Sequence, residues 1–358
     1  MNFSKCTMTP AEQIVNNCAG LYAQYGYRRF MMNKFEDYAL YAENKNFLVD
    51  GRLLTFTDGG KLKALKPDIT LSIVKNLAKE DQLPLKVFYN ETVYRIKKGE
   101  HEFSELGQMG LELIGDDSLY ATAEVISLAK ASLEAISQNS ILDISHMGIL
   151  SQLIDQACAC GIDRAELIKL ITQKNAEGIR ECLDRHNCPL TLASLVGAYS
   201  PLSDMIPILN DTLPNSVEVA ELSEISAVLA MSGLEQNVYL DFSLMHDIGY
   251  YNGIIFKGYV KGVPVAILSG GRYDPLLDRF GLNCAAIGFA IYLDYIRHSE
   301  PVLETDVLLL FSEQDSAQSV VLAVKKLTEQ GFSVMAASCI PTNRSFAKTM
   351  QVKEVLRS

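Results

Sequence analysis

Two groups of strand-like segments stand on either side of a long helical stretch, and any fold for this chain has to bring them into one sheet. Residues 85–94, "LKVFYNETVY", and 105–114, "ELGQMGLELI", alternate as strands, joined by the polar "RIKKGEHEFS". Strand patterns return at 237–242 ("NVYLDF"), 250–260 ("YYNGIIFKGYV") and 263–270 ("VPVAILSG"), with Lys261-Gly262 as a hairpin link. Between them, from about 146 to 235, the pattern is helical, with breaks at Gly161, Asn187 and Pro214. The economical reading is an antiparallel sheet flanked by helices, an α+β fold carrying a helical insertion.

Further helices are expected at 10–26, through Ile14, Val15, Cys18, Leu21 and Tyr22, and at 118–136, where Ser118 is the expected cap. A third helix is expected after Cys284, burying Ile287, Phe289, Ile291 and Leu293. Residues 303–358 read as a short appendage, a β-α-β unit of strand 306–311, helix 315–330 and strand 332–337. The core then occupies residues 1–300.

Composition narrows the function. The 358 residues carry 32 Lys plus Arg against 43 Asp plus Glu, a formal charge of -11, which disfavours phosphate-driven nucleic-acid binding. No apolar run is long enough for a membrane span and the N-terminus lacks a signal-peptide core, so the expected location is the cytoplasm. Cysteines at 6, 18, 158, 160, 182, 188, 284 and 339 lack zinc-site spacing and are read as buried or incidental thiols. No dinucleotide fingerprint or phosphate loop is present, and no metal or cofactor is expected.

Four stretches carry residues suited to a small ligand. In "LKPDIT", Asp68 and Thr70 offer an amine a carboxylate and a hydroxyl; a turn carboxylate and a helix cap are the plainer alternative. Arg95 leaves its strand with a fork suited to carboxylate or phosphate, and Gln108 and Glu112 share a face of the next strand. Tyr250 and Tyr251 divide between core and cavity, and in "GGRYD" Arg272 either orients an anion or pairs with Asp274 or Asp278.

Together with "KFEDYALY" and "AIGFAIYLD", these stretches resemble, in order and spacing over about residues 8–298, the histidyl-tRNA synthetase family. The closer resemblance is to its catalytically silent branch, the regulatory subunits of ATP phosphoribosyltransferase. The resemblance implies a class II synthetase sheet. It also places Asp68, Thr70, Arg95, Gln108, Glu112, Tyr250, Tyr251 and Arg272 in a histidine-like pocket. Departures bear on activity: His246-Asp247-Ile248-Gly249 stands where the enzymes read Arg-Gly-Leu-Asp, Lys97 replaces an acidic residue, and Tyr295 replaces a phosphate-holding arginine. Adenylation needs fixed cations against the phosphates, so aminoacylation and tRNA binding are not expected. The implied role is a non-catalytic subunit that partners the short-form ATP phosphoribosyltransferase catalytic chain, with histidine as effector, as a homodimer within a hetero-oligomer. The alternatives are a divergent histidyl-tRNA synthetase or other amino-acid-activating ligase, and a stand-alone sensor.

Overall fold

The computed structural model describes residues 10–44, 52–77, 83–96, 101–244, 251–296, 305–341 and 346–357. The chain opens with α1 (Pro10–Gln24), β1 (Arg28–Arg29), β2 (Phe35–Asp37), α2 (Tyr38–Glu43), β3 (Thr55–Asp58), β4 (Lys61–Leu65) and α3 (Thr70–Leu77). Two long strands follow, β5 (Leu85–Ile96) and β6 (Phe103–Ile114), then α4 (Leu119–Ile136) and β7 (Ser140–His146). The helical stretch holds α5 (Met147–Ala159), α6 (Arg164–Thr172), α7 (Ala176–Arg185), α8 (Thr191–Gly197), the short β8 (Ser200–Pro201), α9 (Leu202–Thr212) and α10 (Val217–Met231). The sheet resumes with β9 (Val238–Leu240), β10 (Ile254–Val260), β11 (Leu268–Arg272), α11 (Asp274–Arg279) and β12 (Ala286–Tyr292). The last elements are β13 (Thr305–Leu310), α12 (Ala317–Glu329), β14 (Val334–Ala337), β15 (Phe346–Gln351) and α13 (Val352–Arg357).

Nine strands join in the order β1-β5-β6-β12-β11-β10-β7-β9-β8. Both strand groups from the sequence therefore share one sheet, with β12 between them. The pairing is antiparallel through the centre but parallel for β1 with β5 and for β7 with β9, so the sheet is mixed and not purely antiparallel. Breaks in the helical stretch fall where the backbone turns left-handed: Gly161 at φ 92°, Asn187 at 51° and, next to Pro214, Asn215 at 67°. Glycine and asparagine tolerate that region best. Ser118 caps α4, its hydroxyl accepting from Ala121 N at 3.2 Å.

One face of the sheet is apolar and covered. Tyr22 of α1 sets its ring edge-on to Phe88 and Phe289, at 5.9 and 6.0 Å, and its hydroxyl is 2.8 Å from Ser132 of α4. Leu133 of α4 fills the space that Gly258 leaves open. Strand alternation sends the other residues to the opposite face. Register carries that face across the sheet in one row, Val87–Glu112–Gly288–Gly271–Ile255.

Several expectations are corrected. The segment after Cys284 is strand β12 and not a helix, because Ile287, Phe289 and Ile291 alternate with Gly288 and Ala290 at period two and pair on both sides. The β10–β11 hairpin exists, but β11 begins only at Leu268, so the connection is longer than Lys261-Gly262. Cys160 and Cys188 form a disulfide and are not free thiols. The end of α5 and the turn after α7 bring their Cα atoms to 6.0 Å, within bridging range. A small antiparallel sheet, β2-β4-β3, was not foreseen.

The chain divides into two compact units, residues 17–296 and residues 1–16 with 297–358. In the second, β13 and β14 pair in parallel around α12 as a β-α-β unit, and β15 and α13 extend it. Val307, Leu309, Ala323, Leu327, Val352 and Val355 form its core. No helix among the described residues is long and apolar enough to cross a membrane.

Candidate functional site

Glu112 occupies the centre of that opposite sheet face, where it is 2% exposed. Its side chain lies against β12, where the absent side chain of Gly288 gives it room: a Cβ there would fall 1.8 Å from Glu112 Oε2. Each carboxylate oxygen accepts one hydroxyl. Thr70 Oγ1, at the start of α3, donates to Oε1 at 2.9 Å, and Tyr273 OH, preceding α11, donates to Oε2 at 2.7 Å. Burial pushes the carboxyl up to about 8; the two hydroxyls oppose the rise and Asp68 adds to it. The main cause is desolvation of the charged form, which no cation among the described residues offsets.

Asp68 and Arg95 form the next layer. Arg95 Nη2 bonds Asp68 Oδ2 at 3.2 Å, and Arg95 Nε donates to the Pro67 carbonyl. Asp68 Oδ1 also accepts from Leu71 N at 2.9 Å, so this carboxylate caps α3 as well as pairing with Arg95. Fully buried Lys66 bonds Glu91 at 3.0 Å. These two cations each hold a carboxylate, while Glu112 relies on neutral hydroxyls.

Three tyrosines complete the cluster. Burial raises the phenols of Tyr89, Tyr251 and Tyr292; Asp68 adds to each rise and Arg95 opposes it. Tyr251 lies over Gly271, whose absent Cβ would meet its ring at 2.8 Å. Tyr292 hydrogen-bonds Ser269 and sets its ring edge-on to half-exposed Tyr295 at 6.1 Å. Gln108 is 3% exposed and shares the strand face of Glu112, four residues along β6. A buried amide and a buried carboxylate on one strand face, roughly 13 Å apart along β6, suit the two ends of a small polar ligand.

The structure thus gathers Asp68, Thr70, Arg95, Gln108, Glu112 and Tyr251. Arg272 falls out of phase with Gly271 along β11, and its Nε bonds Asp274 Oδ2 at 2.8 Å, the salt-bridge alternative. Tyr250, His246, Asp247, Ile248, Gly249, Lys97 and Arg297 lie outside the described residues. Among the described residues no group of three or more metal-ligating side chains is present. Sequence reasoning left Tyr273, Tyr292, Tyr89 and Lys66 out of the site. Tyr273 and Lys66 sit inside the recognised "GGRYD" and "LKPDIT" stretches, and their neighbours drew the attention.

A histidyl-tRNA synthetase family model matches residues 6–296. An ATP phosphoribosyltransferase regulatory subunit from Alkaliphilus metalliredigens is 31% identical over 291 residues, 77% of this chain and 73% of the relative. The chain belongs to the ATP phosphoribosyltransferase regulatory subunit family. A second regulatory subunit, from Clostridium acetobutylicum, is 28% identical over 351 residues, 92% of this chain and 85% of that one. Among solved structures, an ATP phosphoribosyltransferase regulatory subunit/histidyl-tRNA synthetase from Bacillus halodurans aligns at a TM-score of 0.74 with 25% identity. That alignment covers 96% of this chain and 93% of the other.

Proposed function

We propose that this chain is the non-catalytic regulatory subunit of ATP phosphoribosyltransferase. It partners a short-form catalytic subunit in the cytoplasm at the first step of histidine biosynthesis and transmits feedback inhibition by histidine. Family membership supports the subunit role. The observation that favours an amino-acid effector over ATP chemistry is the pairing of charges in the site. Arg95 and Lys66 are engaged by Asp68 and Glu91, whereas Glu112 is held only by hydroxyls among the described residues and Gln108 shares its face. Phosphoryl chemistry needs preorganised cations aimed at developing negative charge, and losing one such donor costs roughly 3–4 kcal/mol. A cationic or neutral imidazole with an ammonium group suits the arrangement better than a polyphosphate.

In this reading Glu112 and Tyr251 meet the ligand's imidazole, Gln108 and Asp68 its amino group, and Arg95 its carboxylate. Inhibition then requires histidine to bind two states of the assembly with different affinity. The test mixes the full chain with the short catalytic subunit and follows phosphoribosyl-ATP formation while histidine is titrated. Activity that depends on this chain, and inhibition weakened at least about tenfold by Glu112→Gln, is the expected result. No association and no change in rate defeats the proposal. Histidine-dependent ATP–pyrophosphate exchange by the chain alone would establish an amino-acid-activating ligase instead.

A further inference from the structure

We propose that Tyr273 and Thr70 are positioning residues that aim Glu112 at the ligand's nitrogen group and favour its ionised form once the ligand arrives, so that ligand binding is linked to proton release. The inference rests on the reading of this face as an amino-acid site. It concerns residues that act through Glu112.

The geometry has three parts. First, Glu112 is placed by what surrounds it: Gly288 leaves the space in which it lies, and one hydroxyl reaches each oxygen, Thr70 at 2.9 Å and Tyr273 at 2.7 Å. Second, no cation among the described residues pairs with it. Arg95 is held by Asp68 and the Pro67 carbonyl, and Lys66 by Glu91. Third, both donors are fixed from elsewhere in the fold. Tyr273 is 2% exposed, its backbone N–H bonding Ala286 O at 2.8 Å, and Thr70 is buried at the start of α3.

The titratable and charged groups facing Glu112 come from several elements. Asp68 precedes α3, Tyr89 is on β5, Tyr251 precedes β10 and Tyr273 precedes α11, with Tyr27 also within its field. Asp68 opposes ionisation of Glu112, and the two hydroxyl donors favour it. A carboxyl pushed up to about 8 is largely protonated in an empty site at neutral pH. A ligand nitrogen that needs the carboxylate then displaces that proton. Tyr273→Phe keeps the ring and removes one donor to the charged form, so the carboxyl rises further.

The experiment has a ligand-free arm and a ligand arm. In the ligand-free full chain, the Glu112 carboxyl stretch is followed against pH by infrared difference spectroscopy and assigned by its loss in Glu112→Gln. Tyr273→Phe and Thr70→Val should each move that titration upward, and Thr70→Ser should leave it near wild type. In the complex with the catalytic subunit, histidine affinity is measured calorimetrically from pH 6.5 to 9.5 in buffers of different ionisation enthalpy. Proton release is expected for wild type, and Tyr273→Phe should bind about tenfold more weakly at the acid end, with the gap closing toward pH 9.5.

A structural role alone predicts an equal loss at every pH. That result, or a carboxyl titration unmoved by Tyr273→Phe, overturns the inference. A shifted titration with no histidine binding would remove histidine as effector and still support the assignment of Tyr273 and Thr70 to Glu112.

Discussion

Among the described residues no ion pair offsets the burial of Glu112, so the folded protein prefers it protonated, and stability inherits a pH dependence. Its carboxyl rises from 4.5 to about 8 on folding, chiefly by desolvation. Between those values the unfolded chain has lost the proton that the native chain keeps, so stability falls as pH rises through this window and levels off above it. Glu112→Gln removes the term. Urea denaturation from pH 5 to 8 should show the variant gaining on wild type by up to about 1.4 kcal/mol per pH unit. A wild-type-to-variant difference constant over that range would refute the assignment. Glu112 itself was legible in the sequence, because Gln108 and Glu112 recur at strand spacing. Its partners were not, since a hydroxyl from residue 70 and another from residue 273 meet only through the fold.

At the scale of elements, glycine decides where side chains can lie. Gly288 sits under Glu112, and an added Cβ would also come within 2.5 Å of Leu111 O on the neighbouring strand. Gly288→Ala must therefore separate β12 from β6 as well as displace the carboxylate, and a loss of about 3 kcal/mol or more in chemical denaturation is expected. Gly20 on α1 is the counterpart: nothing lies within 4 Å of its Cβ position, and Gly20→Ala should stabilise by about 1 kcal/mol. If both substitutions behaved alike, close approach at β12 would not be the cause. The same glycine explains the misread helix. Gly288 and Ala290, placed between Ile287, Phe289 and Ile291, mask a two-residue period, and only pairing with β6 and β11 exposes it. The bridge of Cys160 to Cys188 was illegible for a related reason, since it depends on how α5 and α7 pack. Closing a loop over a separation of 28 residues stabilises by about 3 kcal/mol. Protein purified without reductant should therefore show two fewer titratable thiols than after reduction, and lower thermal stability once reduced.

The whole molecule carries a charge of -11, and its recognised site faces inward with its nearby cations already paired. These facts act together against polyanions. Nonspecific nucleic-acid binding draws on phosphate neutralisation by free Lys and Arg, and steering by the summed field runs the wrong way here. The sequence showed this through its charge balance and through Tyr295, whose ring packs edge-on against Tyr292. Restoring one cation should not restore an enzyme. Tyr295→Arg supplies a guanidinium at that position but leaves Arg95 bound to Asp68 and leaves Tyr292 hydrogen-bonded across to Ser269. ATP–pyrophosphate exchange with histidine should stay at background in wild type and in Tyr295→Arg, and tRNA should fail to shift the chain in gels at physiological salt. Exchange appearing in the variant alone would mean that a single charge separates regulator from synthetase. Its absence would mean that the difference is distributed over the sheet face, where the buried carboxylate, the paired cations and the tyrosines between them favour an amino acid over a nucleotide.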